Sequence, residues 1–136
     1  MTPKKQDKLY SEYPKLFCQK DLKPNQTLMT NGIAVGDGWY DIIAELCQEL
    51  EDYSTSRLAD LSFKPPEFFQ IKNSFGELAI RLTEHDEYAN KLVEKAQSHA
   101  RVTCEVCGNF GSERPFRGWH KVACLPCFNK IPFWQL

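Results

Sequence analysis

Cys104-Glu105-Val106-Cys107-Gly108, then Cys124-Leu125-Pro126-Cys127 after an interval of sixteen residues, is the stretch that decides how this chain folds. Two residues between paired cysteines let a tight turn aim both sulfurs at one tetrahedral ion. The pattern C-x2-C-x16-C-x2-C lies within the spacing of four-cysteine zinc sites. Cys104, Cys107, Cys124 and Cys127 are therefore assigned to one structural Zn2+. Gly108 follows the second ligand, where the turn favours a positive φ. Pro126 sits in the first turn of a short helix. The first pair is expected on a knuckle and the second on a helix, as in a zinc ribbon or a treble clef; the sequence does not separate the two. Four thiolates fill the coordination sphere, so catalysis at the metal is not expected. A module of this size cannot bury enough core alone. Metal binding, about 10–16 kcal/mol in small finger peptides, would supply much of its folding energy. His120, four residues before Cys124, is read as a surface or supporting histidine rather than a ligand.

Towards the N-terminus, a helix over about 84–101 delivers the chain to the first cysteine pair, with Tyr88, Leu92 and Ala96, joined by Ala89 and Val93, facing inward. Thr83 with Asp86 three residues on resembles a capping box. Phe68–Lys72 and Glu77–Leu82 read as two strands of a hairpin joined by Asn73-Ser74-Phe75-Gly76; Leu78, Ile80 and Leu82 alternate with Glu77, Ala79 and Arg81. Gly36-Asp37-Gly38 opens the clearest helix, capped by Asp37, with Trp39, Ile42, Ile43, Leu46, Leu50 and Tyr53 on one face. Pro65-Pro66 bars a helix from passing that point. Residues 19–36 read as an irregular connection with a brief strand at Ile33-Ala34-Val35. The chain thus divides into a flexible N-terminus over 1–12, an α+β domain over 13–101 and a zinc module over 102–136 docked on it. The fold class is α+β: helices packed on a small antiparallel hairpin or sheet, with a C-terminal zinc ribbon or treble clef.

Net charge is −1 over 136 residues, which argues against a broadly basic nucleic-acid binder. The charge is unevenly spread. Residues 1–23 carry six lysines against three acids, and residues 37–60 carry seven acids against one arginine. Asp41, Glu45, Glu49 and Asp52 make the outer face of the central helix acidic, a candidate partner-binding surface that would mimic phosphates. No apolar run reaches membrane-spanning length and no signal core follows Met1, so a cytoplasmic protein without membrane partners is expected. Cys18 and Cys47, far from the paired cysteines, are expected to be free and buried.

Other patterns carry less. His85-Asp86-Glu87 matches the H-x-E of zinc deaminases, but Thr103 and Ala123 stand where their second motif has proline before cysteine. A His-Asn-His nuclease would need more histidines in the module than His120. Arg114, Arg117, Trp119 and Lys121 form a basic-aromatic loop between the cysteine pairs. It either contacts nucleic acid or packs the module and a protein interface. Phe133 and Trp134 in the apolar tail either fold back or anchor a partner.

Taken in order, Tyr13-Pro14-Lys15-Leu16-Phe17, Gly36-Asp37-Gly38-Trp39-Tyr40-Asp41-Ile42-Ile43 with Leu46-Cys47, Gln70-Ile71-Lys72-Asn73-Ser74-Phe75-Gly76-Glu77-Leu78 and Cys104-Glu105-Val106-Cys107-Gly108 carry a resemblance. The chain resembles a family of small, largely uncharacterised proteins of tailed bacteriophages and prophages with a C-terminal four-cysteine zinc module. The resemblance implies a zinc-binding phage protein acting in the host cytosol, with no activity attached. Together with the residue pattern, it leads to the expectation of a non-enzymatic protein that binds a host protein complex, for example to inhibit a host defence system such as a CRISPR effector. The alternative is a nucleic-acid-binding accessory protein.

Overall fold

Apolar residues at helical spacing and a short alternating hairpin build the body of the molecule. The computed structural model describes residues 1–116 and 119–130, without the side chains of Phe116 and Trp119. In chain order the elements are α1 (Pro3–Glu12), β1 (Ile33–Ala34), α2 (Tyr40–Ser56), β2 (Phe68–Ser74), β3 (Glu77–Leu82), α3 (Glu87–Ala100), β4 (Ser112–Phe116), β5 (Trp119–Ala123) and α4 (Leu125–Asn129). Single 3-10 turns lie at Cys18–Asp21, Met29–Asn31 and Asp37–Trp39.

The fold is α+β, with a small mixed sheet in the order β1-β2-β3. β2 and β3 form the expected antiparallel hairpin, and β1 adds a parallel pair, Ile33 opposite Ile71. Phe75 and Gly76 close the hairpin with φ of 53° and 85°, the paired positive values of a primed two-residue turn. α2 buries Ile42, Ile43, Leu46, Cys47 and Leu50; α3 buries Ala89, Val93, Ala96 and Ala100. These faces close on Phe68, Ile71 and Leu78 of the sheet and on Phe17 and Trp39, so one core serves the whole body. Phe17 stacks on Phe68 at 4.9 Å between ring centres.

Several expectations are corrected. Residues 1–12 are not a flexible terminus: Pro3 starts α1 at its first turn, where a missing N–H costs nothing, and Leu9 is fully buried. Tertiary contacts hold the helix. The Met1 amino group donates to the carbonyls of Ile33 and Val35, and the Gln6 amide oxygen accepts from the Ile33 N–H at 3.0 Å. Asp37 does not cap α2; its Oδ1 accepts from Thr2 N at 2.8 Å, tying α1 to the start of α2. The cap of α3 is Asp86 rather than Thr83. Asp86 Oδ1 accepts from the N–H groups of Tyr88 and Ala89, whereas Thr83 is engaged by both backbone polar groups of Glu67, extending the sheet. Starting α3 at Glu87 turns Tyr88 outward, where it is 54% exposed and leans on Tyr53. Cys47 is buried and Cys18 is exposed; both are free thiols.

Candidate metal centre

The four paired cysteines converge. Their sulfurs all lie within 4.8 Å of one another, and Cys107 Sγ to Cys124 Sγ is 3.6 Å. A tetrahedral ion with zinc–sulfur bonds of about 2.3 Å needs sulfurs about 3.8 Å apart, so the donor set fits. Cys104 is fully buried, Cys124 and Cys127 are half-buried and Cys107 faces solvent.

Local sequence explains the convergence. Cys104 and Cys107 sit on a knuckle closed by Gly108 N–H donating to Cys104 O at 2.9 Å, with Gly108 at φ 84° as its place in the motif requires. β4 and β5 then form a hairpin that returns the chain to the knuckle, where Glu105 N–H donates to Val122 O at 2.9 Å. Cys124 is the residue capping α4, and Pro126 and Cys127 occupy its first turn. Knuckle, hairpin and helix follow in treble-clef order; a ribbon would carry its second pair on another hairpin turn.

The sulfurs are arranged as ligands rather than as four independent thiols. Burial opposes ionisation of Cys104, but amide N–H groups of Cys107, Cys124 and Val106 donate to its sulfur and bring the thiol down to about 6. Cys127, beside the sulfurs of Cys124 and Cys107, is pushed up to about 12. Like charges this close cannot all form unless a cation sits among them. All four donors belong to the protein, so a bound ion would be closed to water and would act as a cross-link.

What the sequence did not reveal is how the module is held. Glu105, inside the first C-x2-C, is only 7% exposed. Its Oε2 accepts from Gly36 N at 2.9 Å and its Oε1 from Asn73 Nδ2 at 2.6 Å; its backbone O accepts from Gly38 N at 2.7 Å. Trp39, fully buried, donates its indole N–H to Thr103 O at 2.8 Å. Gly36 and Gly38 permit this approach. A Cβ on Gly36 would lie 2.3 Å from Glu105 O, and one on Gly38 would lie 2.1 Å from Cys104 O. The knuckle is therefore latched onto the entry of α2 and the tip of the β2–β3 hairpin. Three stretches far apart in sequence, around Gly36–Trp39, Asn73 and Thr103–Glu105, meet at this latch.

The remaining candidate residues do not form one site. Asp41, Glu45 and Asp52 are exposed on α2, but Glu45 and Glu49 share Lys95 of α3 at 3.4 and 3.1 Å, and Asp52 accepts from Gln48. The acidic face is thus partly neutralised by the neighbouring helix. Arg114 is turned into the module: its Nε donates to Ala123 O at 3.0 Å and its guanidinium lies 5.6 Å from the Phe128 ring centre. Lys121 stands opposite Arg114 on the hairpin, and His120 pairs with Glu113 at 2.6 Å, away from any ligand role. Arg117, Phe133 and Trp134 lie outside the described residues, as does the Trp119 side chain. Among the described residues no helix is long and apolar enough to cross a membrane.

Fold and site together define an α+β domain carrying a four-cysteine metal-binding module. No family model, no curated protein and no solved structure matches the chain.

Proposed function

We propose that this is a non-enzymatic, zinc-stabilised protein of a tailed bacteriophage or prophage that works in the host cytosol by binding a host protein complex. Inhibition of a host defence system, such as a CRISPR effector, is one concrete form. The carrying observation is the closed four-sulfur site latched into the body, which suits a cross-linking ion and gives it no open position for substrate. Zinc is the metal of choice because four thiolates in tetrahedral array favour it over hard cations. The phage resemblance supplies the host setting, and the exposed acids of α2 supply a surface suited to a basic partner. The basic loop gives a nucleic-acid reading less support, since Arg114 is already committed within the module.

The test is affinity capture from host lysate, with and without nuclease, comparing wild type with Asp41→Lys/Asp52→Lys. These two acids take no part in the Lys95 pairing, so the fold should be retained. A defined complex that survives nuclease and is lost with the variant supports the proposal. Recovery that disappears with nuclease, or is indifferent to the variant, contradicts it.

A further inference from the structure

We propose that the Lys4–Lys5–Lys8 face of α1, together with Tyr40, is a docking surface for single-stranded nucleic acid. Lys4, Lys5 and Lys8 are exposed, and spacings of three and four residues set them side by side on one helix face. The Nζ atoms of Lys5 and Lys8 converge on one aromatic ring, 5.3 and 5.9 Å from the centre of Tyr40. Lys4, Lys5, Asp7, Lys8, Ser11 and Tyr40 line an open groove of about 740 Å³.

Two features select the occupant. Like most lysines of the chain, and unlike Lys20, Lys91 and Lys95, Lys4, Lys5 and Lys8 have no carboxylate within 4.0 Å among the described residues; they alone are clustered on one helix face beside an aromatic ring. Their charge is available to a polyanion. Lys5 and Lys8 cover the Tyr40 ring in the free protein; when they turn to phosphates, a single strand offers an unpaired base to the ring they uncover. A membrane surface would require apolar side chains to insert, and no large exposed hydrophobic residue belongs to α1. This arrangement escapes a sequence reading because Tyr40 joins α1 only through the fold.

The experiment is fluorescence anisotropy of a labelled 15-residue oligothymidine titrated with the full zinc-loaded chain. Three phosphate contacts on a single strand predict a log–log salt slope of about −2. Lys5→Gln/Lys8→Gln should weaken binding at least about ten-fold and reduce the slope to roughly −0.7. Tyr40→Phe should bind within about two-fold of wild type and Tyr40→Leu about ten-fold more weakly. Arg114→Gln should change nothing. The lysine variant alters exposed side chains, so its fold is not at stake. Absence of binding at low salt, an unchanged slope in the lysine variant, equal affinity for a duplex of the same length, or binding to anionic vesicles alone would overturn the proposal.

Discussion

Replacing Glu105 with alanine tests the latch without touching a cysteine. The substitution removes both side-chain acceptors and leaves Gly36 N–H and Asn73 Nδ2 unpaired at a position only 7% exposed. Hydrogen bonds to a charged group contribute about 1.5–3 kcal/mol each. Taking the low end for both, because the buried carboxylate's own desolvation is relieved, gives a loss of about 3 kcal/mol. For a chain of this length that is roughly 10 °C in Tm. Glu105→Gln keeps one oxygen but turns its amide towards the other donor, so about half that loss is expected. Glu94→Ala, on the exposed side of α3, serves as the control, with a change within about 0.5 kcal/mol. The assay is thermal unfolding of the metal-loaded protein under reducing conditions, with metal content measured in parallel. Metal content should not change, since the ligands are intact. A Glu105→Ala protein that melts within about 2 °C of wild type would refute the latch.

Gly38→Ala places a methyl group where the Cys104 carbonyl already lies, 2.1 Å away. Both partners are backbone, so the module must shift; a loss of at least about 2 kcal/mol is expected in the same melts. Asp86→Ala should cost about 1 kcal/mol by uncapping α3. Burial opposes ionisation of Asp86, but the Tyr53 hydroxyl and the N–H groups of Ala89 and Tyr88 outweigh it and hold the carboxyl below its ordinary value. With the folded value below the unfolded one, this stabilisation is complete at neutral pH. It is lost as pH falls below about 4 and through the folded value. The gap between wild type and Asp86→Ala should therefore narrow in melts at pH 3, while Asp86→Asn keeps most of the cap without the pH dependence.

Local patterns carried much of this account. Cysteine spacing located the four-sulfur cluster, because two-residue spacers constrain geometry wherever they occur. The alternation at Leu78, Ile80 and Leu82 placed β3, and the apolar stripe of Ile42, Ile43, Leu46 and Leu50 placed α2. Long-range partnerships were not legible. Glu105 looks like a solvated acid until Gly36 and Asn73, 69 and 32 residues away, close around it. The G-x-G at 36–38 was the available signal, since two glycines flanking one residue also suit close backbone approach. α1 looked unstructured because it buries Leu9 while most of its other residues stay exposed; its contacts with Ile33 and Asp37 come from the tertiary fold. The acidic face was overestimated because Lys95 reaches it from another helix.

The central claim is that one metal ion, held by Cys104, Cys107, Cys124 and Cys127, also secures the entry of α2. The most direct measurement is metal content of the reduced protein followed by hydrogen exchange before and after chelation. The account predicts about one zinc per chain. On chelation, protection should fall across 102–130 and also across 33–44, which contains Gly36, Gly38 and Trp39. A reduced protein that folds without metal, or a loss of protection confined to 102–130, would contradict it.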